Sequence, residues 1–188
     1  MKRTDVSPYL RNLIEVGMIK KVVPITEKAK SRLGRYYISD NFIRFWFRYI
    51  YPNLSSIEEG IFDINVVKGD YSNYLGGVFE EVARQFLIKE RERIFSFSKV
   101  GKWWHKEREI DIVATSDATD EILFIECRWQ DLTCGRAEQI LGGLLEKAKF
   151  VQWGSDARRA YFGIVARTIE GKGDLRRKGY VVFDLDDF

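Results

Sequence analysis

Asp111, Glu126 and Arg128 are the residues whose types and spacing could do chemistry, with Glu80 as a fourth. Asp111 lies in the alternating run of residues 108–114, and Glu126 and Arg128 lie two positions apart in the apolar run of residues 121–129. If residues 117–120 form a turn that sets Ser116 opposite Glu121, Asp111 falls directly across from Glu126 on one sheet face. Cross-strand neighbours hold their Cβ atoms about 5 Å apart, so the two carboxylates would meet with Arg128 beside them. A slip of one residue would send them to opposite faces. Adjacent carboxylates repel and one of them resists ionisation unless positive charge lies between them, which a divalent cation supplies better than a single Arg. Mg²⁺ (or Mn²⁺) suits a site of a few carboxylates and waters, and Glu80 from a preceding helix could add an oxygen. Such an ion polarises a phosphoryl oxygen and activates water. The other reading of the same residues is a buried ion-pair network, with Asp111 on Arg128 or Arg108 and Glu126 on a lysine.

The positioning elements follow from periodicity. Residues 71–94 place Leu75, Val78, Phe79, Val82 and Phe86 on one helical face, with Glu80 and Glu81 at its borders. Residues 94–104 lead into the strand at 108–114, and residues 121–129 are apolar enough to be a central strand. A helix over residues 137–150 is expected to bury Ile140, Leu144, Leu145 and Ala148. Strands are expected at 161–166 and 180–185, with a basic loop between them. This order gives an α/β layer with a mixed sheet flanked by helices.

The first quarter of the chain reads differently. The net charge of the 188 residues is only +3, yet residues 1–51 carry eleven Lys or Arg against four Asp or Glu. Ser7-Pro8 is expected to cap a short amphipathic helix ended by Gly17. A β-prone run, a basic stretch over residues 26–34 and a second β-prone run follow, which is the order of a winged helix. On such a module Arg11, Asn12, Lys28, Lys30, Arg32 and Arg35 could neutralise phosphates, while a solvated basic face on a protein-binding module is the equal alternative. Asp40-Asn41 caps the aromatic residues 42–51, read as a buried connecting helix that ends at Pro52.

Composition excludes several classes. Two cysteines without a CxxC spacing and a single histidine, His105, rule against structural zinc and a Cys–His nucleophile. No apolar run reaches the length of a membrane span, and the polar start is no signal peptide, so the expected compartment is the cytoplasm. The sequence around Gly171 lacks the spacing of a phosphate-binding loop, which excludes nucleotide hydrolysis on this chain.

The acidic residues resemble the motif set of the PD-(D/E)XK nuclease superfamily. Its first-helix glutamate falls on Glu80, its metal-binding aspartate on Asp111, and its E-x-K element on Glu126-Cys127-Arg128, with Arg in place of Lys; Gln139 is a weaker match. The resemblance implies a restriction-endonuclease-like fold in which Asp111, Glu126 and the Cys127 main-chain carbonyl hold Mg²⁺ (or Mn²⁺), Glu80 assists and Arg128 orients phosphate. Lys102, His105 and Lys106 would then guide the DNA backbone. More closely, residues 7–24, 36–51, 74–83, 108–114 and 124–129 look like the C-terminal part of the archaeal DEXX-box ATPase family. That resemblance implies a partial winged helix-turn-helix over residues 1–40, a connecting aromatic helix over 41–60 and a nuclease-like domain over 61–188. It also implies DNA and a separate P-loop ATPase as partners, the chain being a remnant or truncated relative. A second copy of the chain is expected where both strands of a duplex are cut. Arg128 can bind phosphate bidentately but cannot handle a proton, so both a deoxyribonuclease and a catalytically inactive DNA-binding or partner-docking module fit the motifs.

Overall fold

The computed structural model describes residues 6–188; the polar start, residues 1–5, lies outside the described residues. The chain divides into two compact units, one made of the described residues up to Val23 with Lys30–Tyr74, the other of Pro24–Ala29 with Leu75–Phe188.

In the first unit, α1 (Ser7–Glu15) is followed by an antiparallel hairpin of β1 (Ile19–Val22) and β2 (Arg35–Ile38). Ser7 lies inside the helix rather than at its cap; Val6 takes that position and no side chain caps it, with Pro8 supplying the preset φ of the first turn. Gly17, at φ +75°, ends the helix as expected. Asp40 caps α2 (Asn41–Phe45) by accepting from the Ile43 N–H at 2.9 Å. The aromatic run does not continue as one buried helix. It loosens into a π-turn at Trp46–Ile50 and a 3₁₀ turn at Tyr51–Asn53 before α3 (Leu54–Glu58), and only Tyr49 of it is buried. Pro52 contributes to the break, because it has no N–H to donate. Tyr49 packs on Tyr74 at 5.9 Å and donates its hydroxyl to Asp70 at 2.8 Å.

The second unit carries a five-stranded mixed sheet in the order β3-β4-β5-β6-β7. Its strands are β3 (Lys99–His105), β4 (Arg108–Ser116), β5 (Glu121–Leu132), β6 (Arg159–Ile169) and β7 (Val181–Phe183). The first three pair antiparallel; β6 pairs parallel with both β5 and β7. The turn at residues 117–120 sets Ser116 opposite Glu121 in the expected register, but the ladder ends at Ile112–Ile125, so the expected Asp111–Glu126 pair is not part of it. The parallel pairing of β5 and β6 follows from the crossover through α6 (Cys134–Ala148).

Both sheet faces are covered. On one, Phe79, Ala83, Phe86 and Leu87 of α4 (Asn65–Lys89) pack against Ile112, Ala114, Leu123, Ile125 and Cys127. The buried stripe is thus turned from the expected one, and Val82 is exposed. The helix also begins at Asn65, ahead of the expected start at residue 71. A short α5 (Arg91–Ile94) follows it. On the other face α6 buries Ala137, Leu141, Leu144 and Ala148. Ile140 and Leu145 are only partly buried, with Ile140 still packed on this core, while Leu141, not among the expected residues, is fully buried and contributes about 2–3 kcal/mol. Within the stretch read as a basic loop lies α7 (Lys172–Arg177), started by the left-handed Gly171 and anchored by the buried Leu175.

Candidate metal and phosphate site

The site forms where the sheet splits. The β4–β5 ladder runs from Ser116–Glu121 to Ile112–Ile125, and β5 continues by pairing Glu126, Cys127 and Arg128 with Ile164, Val165 and Ala166 of β6. On its other side β4 keeps β3, but the register shifts by one between Gly101 and Trp103, so Asp111 and Ile112 together oppose Lys102. That extra residue is a β-bulge, which bends the strand and re-aims a side chain. The carboxylate of Asp111 accepts the Cys127 N–H at 2.8 Å, just past the end of the β4–β5 ladder.

Three oxygens then converge on one cation. Arg128 donates from one terminal nitrogen to Asp111 Oδ2 at 3.0 Å and to the Cys127 carbonyl at 2.6 Å, and from the other to Glu126 Oε2 at 2.7 Å. Lys147 of α6 donates to the remaining oxygen, Glu126 Oε1, at 2.7 Å. On the α4 side, Lys102 pairs with Glu80 and lies 3.7 Å from Glu109. Glu126 is 2% exposed and Asp111 13%, whereas the Arg128 and Lys147 side chains are about one-third exposed, at 34% and 33%. The anions therefore line the floor and the cations reach in from the water side.

Burial, reinforced by the charge of Asp111, pushes both the Glu80 and Glu126 carboxyls above their ordinary range. Burial works against the charge of Lys102, yet Glu80, Asp111 and Glu109 together hold its ammonium above its ordinary value. Burial also pushes up the Cys127 thiol, which stays protonated and inert. A carboxyl raised by folding stabilises fully below its unfolded pKa, and that contribution is lost as pH rises through the folded value. We therefore expect Glu126→Gln to gain stability relative to the native protein as pH rises from about 4 toward neutrality, in urea unfolding followed at several pH values. A constant difference across that range would mean that Lys147 and Arg128 fully offset the burial of Glu126 and that its carboxyl is not raised.

Two carboxylates and a main-chain carbonyl are hard oxygen donors of the kind that hold Mg²⁺ or Mn²⁺. They converge on a single cationic group, so the donor set fits a divalent ion. Among the described residues no group of three or more His, Cys, Asp or Glu side chains is placed to hold a metal, so an ion on Asp111 and Glu126 would need the Cys127 carbonyl or water as its further donors.

The structure brings Glu80, Asp111, Glu126, Cys127 and Arg128 into one cluster. Lys102, read as a DNA-guiding residue, is instead half-buried against Glu80. His105 and Lys106 are exposed at the end of β3, and Gln139 is exposed on α6 with its oxygen on Arg136 at 3.0 Å. Arg11, Asn12, Lys30 and Arg32 are exposed on the first unit, and Lys28 is exposed in the second. Lys147 is not singled out by sequence reasoning. The one signal is its place between Leu144 and Ala148, at the border of the buried stripe of α6.

Fold and site define an α/β protein with a cluster of acidic side chains paired to Lys and Arg at the split of a mixed sheet. The chain belongs to the DUF234 family of archaeal and bacterial proteins of unknown function, whose pattern matches residues 46–140. That span contains Glu80, Asp111, Glu126 and Arg128 and stops short of Lys147. An uncharacterized protein of Methanocaldococcus jannaschii is 50% identical over 192 residues, covering 100% of this chain and 42% of the relative. The chain thus spans about two-fifths of that relative's length. No solved structure matches the chain. Among the described residues no helix is long and apolar enough to cross a membrane.

Proposed function

We propose that the second unit is a PD-(D/E)XK-type module that engages the phosphodiester backbone of DNA and cleaves it with Mg²⁺ or Mn²⁺. The observation that carries the reading is that Asp111 Oδ2, Glu126 Oε2 and the Cys127 carbonyl all face the two terminal nitrogens of one guanidinium, that of Arg128. When bound, a divalent ion supplies Lewis-acid polarisation of the phosphoryl group. Lys147 fixes one oxygen of Glu126 and leaves the other for the cage. Arg128 clamps the non-bridging phosphate oxygens bidentately and stabilises the charge that develops on them. Lys102 neutralises Glu80 at the inner wall. The exposed Arg11, Asn12, Lys28, Lys30 and Arg32 add backbone contacts that carry no sequence information. By its resemblance to the C-terminal part of archaeal ATPases, the chain acts beside a P-loop ATPase in the cytoplasm.

The test is incubation of linear, supercoiled and branched DNA with the protein and Mn²⁺ or Mg²⁺. Nicking or linearisation that stops on chelation by EDTA is the expected result. Absence of cleavage on every substrate would overturn the nuclease reading. It would favour the second one, a DNA-binding or partner-docking module, which the occupation of the cage by Arg128 supports.

A further inference from the structure

The guanidinium of Arg128 satisfies the same three oxygens that the proposed site offers to a metal ion. A tethered cation and a free one cannot both sit there. The floor of the cage is buried, with Glu126 2% and Asp111 13% exposed, while the Arg128 side chain is 34% exposed and reaches in from solvent. It can therefore leave without unfolding anything beneath it. Leaving is unfavourable on its own, because it strips charge-assisted bonds from a buried carboxylate pair. A phosphodiester changes that balance, since the planar fork of a guanidinium matches two phosphate oxygens as well as it matches carboxylates.

We infer that Arg128 is an internal cation that closes the cage, and that it makes metal entry conditional on a nucleic-acid phosphate that draws the guanidinium out. This rests on the reading of the cage as a divalent-ion site and adds the order in which the site assembles. The open form is the minor one in the free protein, so the apparent affinity for metal falls by the open fraction. A ligand that favours the open form must raise that affinity, and the metal must raise affinity for the ligand by the same factor. Lys147 keeps Glu126 partnered during the exchange, so removing Arg128 does not leave that carboxylate bare.

The experiment is titration of the whole chain with Mn²⁺, followed by the electron paramagnetic resonance of free Mn²⁺, for the native protein, Arg128→Gln, Arg128→Lys and the double variant Arg128→Gln/Asp111→Asn. We expect Arg128→Gln to bind Mn²⁺ about tenfold or more tighter than the native protein, and the double variant to lose that binding. A phosphorothioate-linked duplex of about 12 base pairs should tighten Mn²⁺ by about tenfold in the native protein and by less than about threefold in Arg128→Gln. Circular dichroism reports whether each variant folds. Should Arg128→Gln fail to fold, Arg128→Lys decides, because its single ammonium cannot span three oxygens and it must bind Mn²⁺ tighter than the native protein. Equal Mn²⁺ affinity in native and variant proteins overturns the closure by Arg128 and leaves the metal site standing. No Mn²⁺ binding by any of them overturns both.

Discussion

Asp111→Asn is expected to abolish Mn²⁺ binding and metal-dependent cleavage while leaving the fold in place. The bonds to this carboxylate from the Cys127 N–H and from Arg128 end on the same oxygen, Oδ2. An Asn amide oxygen at that position keeps both, so the strands stay joined at the split and stability changes by no more than about 1 kcal/mol. What disappears is a negative charge in a poorly hydrated cage. Charge stabilisation by a bound metal is worth several kcal/mol, so its loss should slow cleavage by about three orders of magnitude. Isothermal titration with Mn²⁺, a thermal melt and the cleavage assay together separate charge from shape. Retained Mn²⁺ affinity in Asp111→Asn would remove this residue from the ligand set, whatever happens to activity.

Gathering Glu80, Asp111 and Glu126 in a partly buried cluster is costly, and the chain answers with Lys102, Arg128 and Lys147, each from a different element. Such an arrangement is weak as a source of stability, since apolar residues of similar volume would serve as well or better. A cluster that lowers stability is where a functional constraint is expected. Arg128 and Lys147 are more exposed than Asp111 and Glu126 beneath them, which gives this part of the cluster a direction, toward anions arriving from water.

The register of β4 on β5 is legible in the sequence because a polar four-residue turn leaves one pairing that keeps both apolar faces consistent, although Asp111 and Glu126 then meet through Arg128 past the end of the ladder and not as a cross-strand pair. The mixed sheet is legible because a helical pattern separates β5 from β6. The bulge at Asp111 and Ile112 is not, since no Gly or Pro marks it within β4 and alternation continues on both sides in the sequence. The first turns of α4 are hidden because residues 65–71 present almost no buried side chain to give a period. α7 is hidden because two glycines and a single anchor, Leu175, look like loop. The aromatic run misleads for the opposite reason: an apolar composition suggests burial, but Phe42, Phe47 and Tyr51 are exposed. The destination of the Arg128 side chain depends on the strand split, which no local pattern records.

Gly163→Val should prevent folding of the second unit, and Gly163→Ala should cost about 3 kcal/mol. Gly163 lies in β6 between Ile125 of β5 and Val181 of β7. A Cβ built on it falls on the carbonyl oxygen of Val181, 2.8 Å from Val181 Cβ and 2.6 Å from Ile125 Cδ1. The Ile125 methyl can rotate aside, but the Val181 carbonyl belongs to the backbone, so β7 itself must move. With only three residues, Val181–Phe183, that strand has little pairing to lose before it detaches. Detachment would uncover Val182 and Phe183 and break the edge-on contact of Phe86 with Phe183 at 5.0 Å. The same β6 holds Glu126, Cys127 and Arg128 in register through Ile164, Val165 and Ala166, so a shifted β6 would also misalign the cage. Urea unfolding of Gly163→Ala, read beside its Mn²⁺ affinity, should therefore show both quantities falling together. Native-like stability in Gly163→Ala would mean that β7 does not approach β6 this closely, and the account of what holds the cage in place would fail with it.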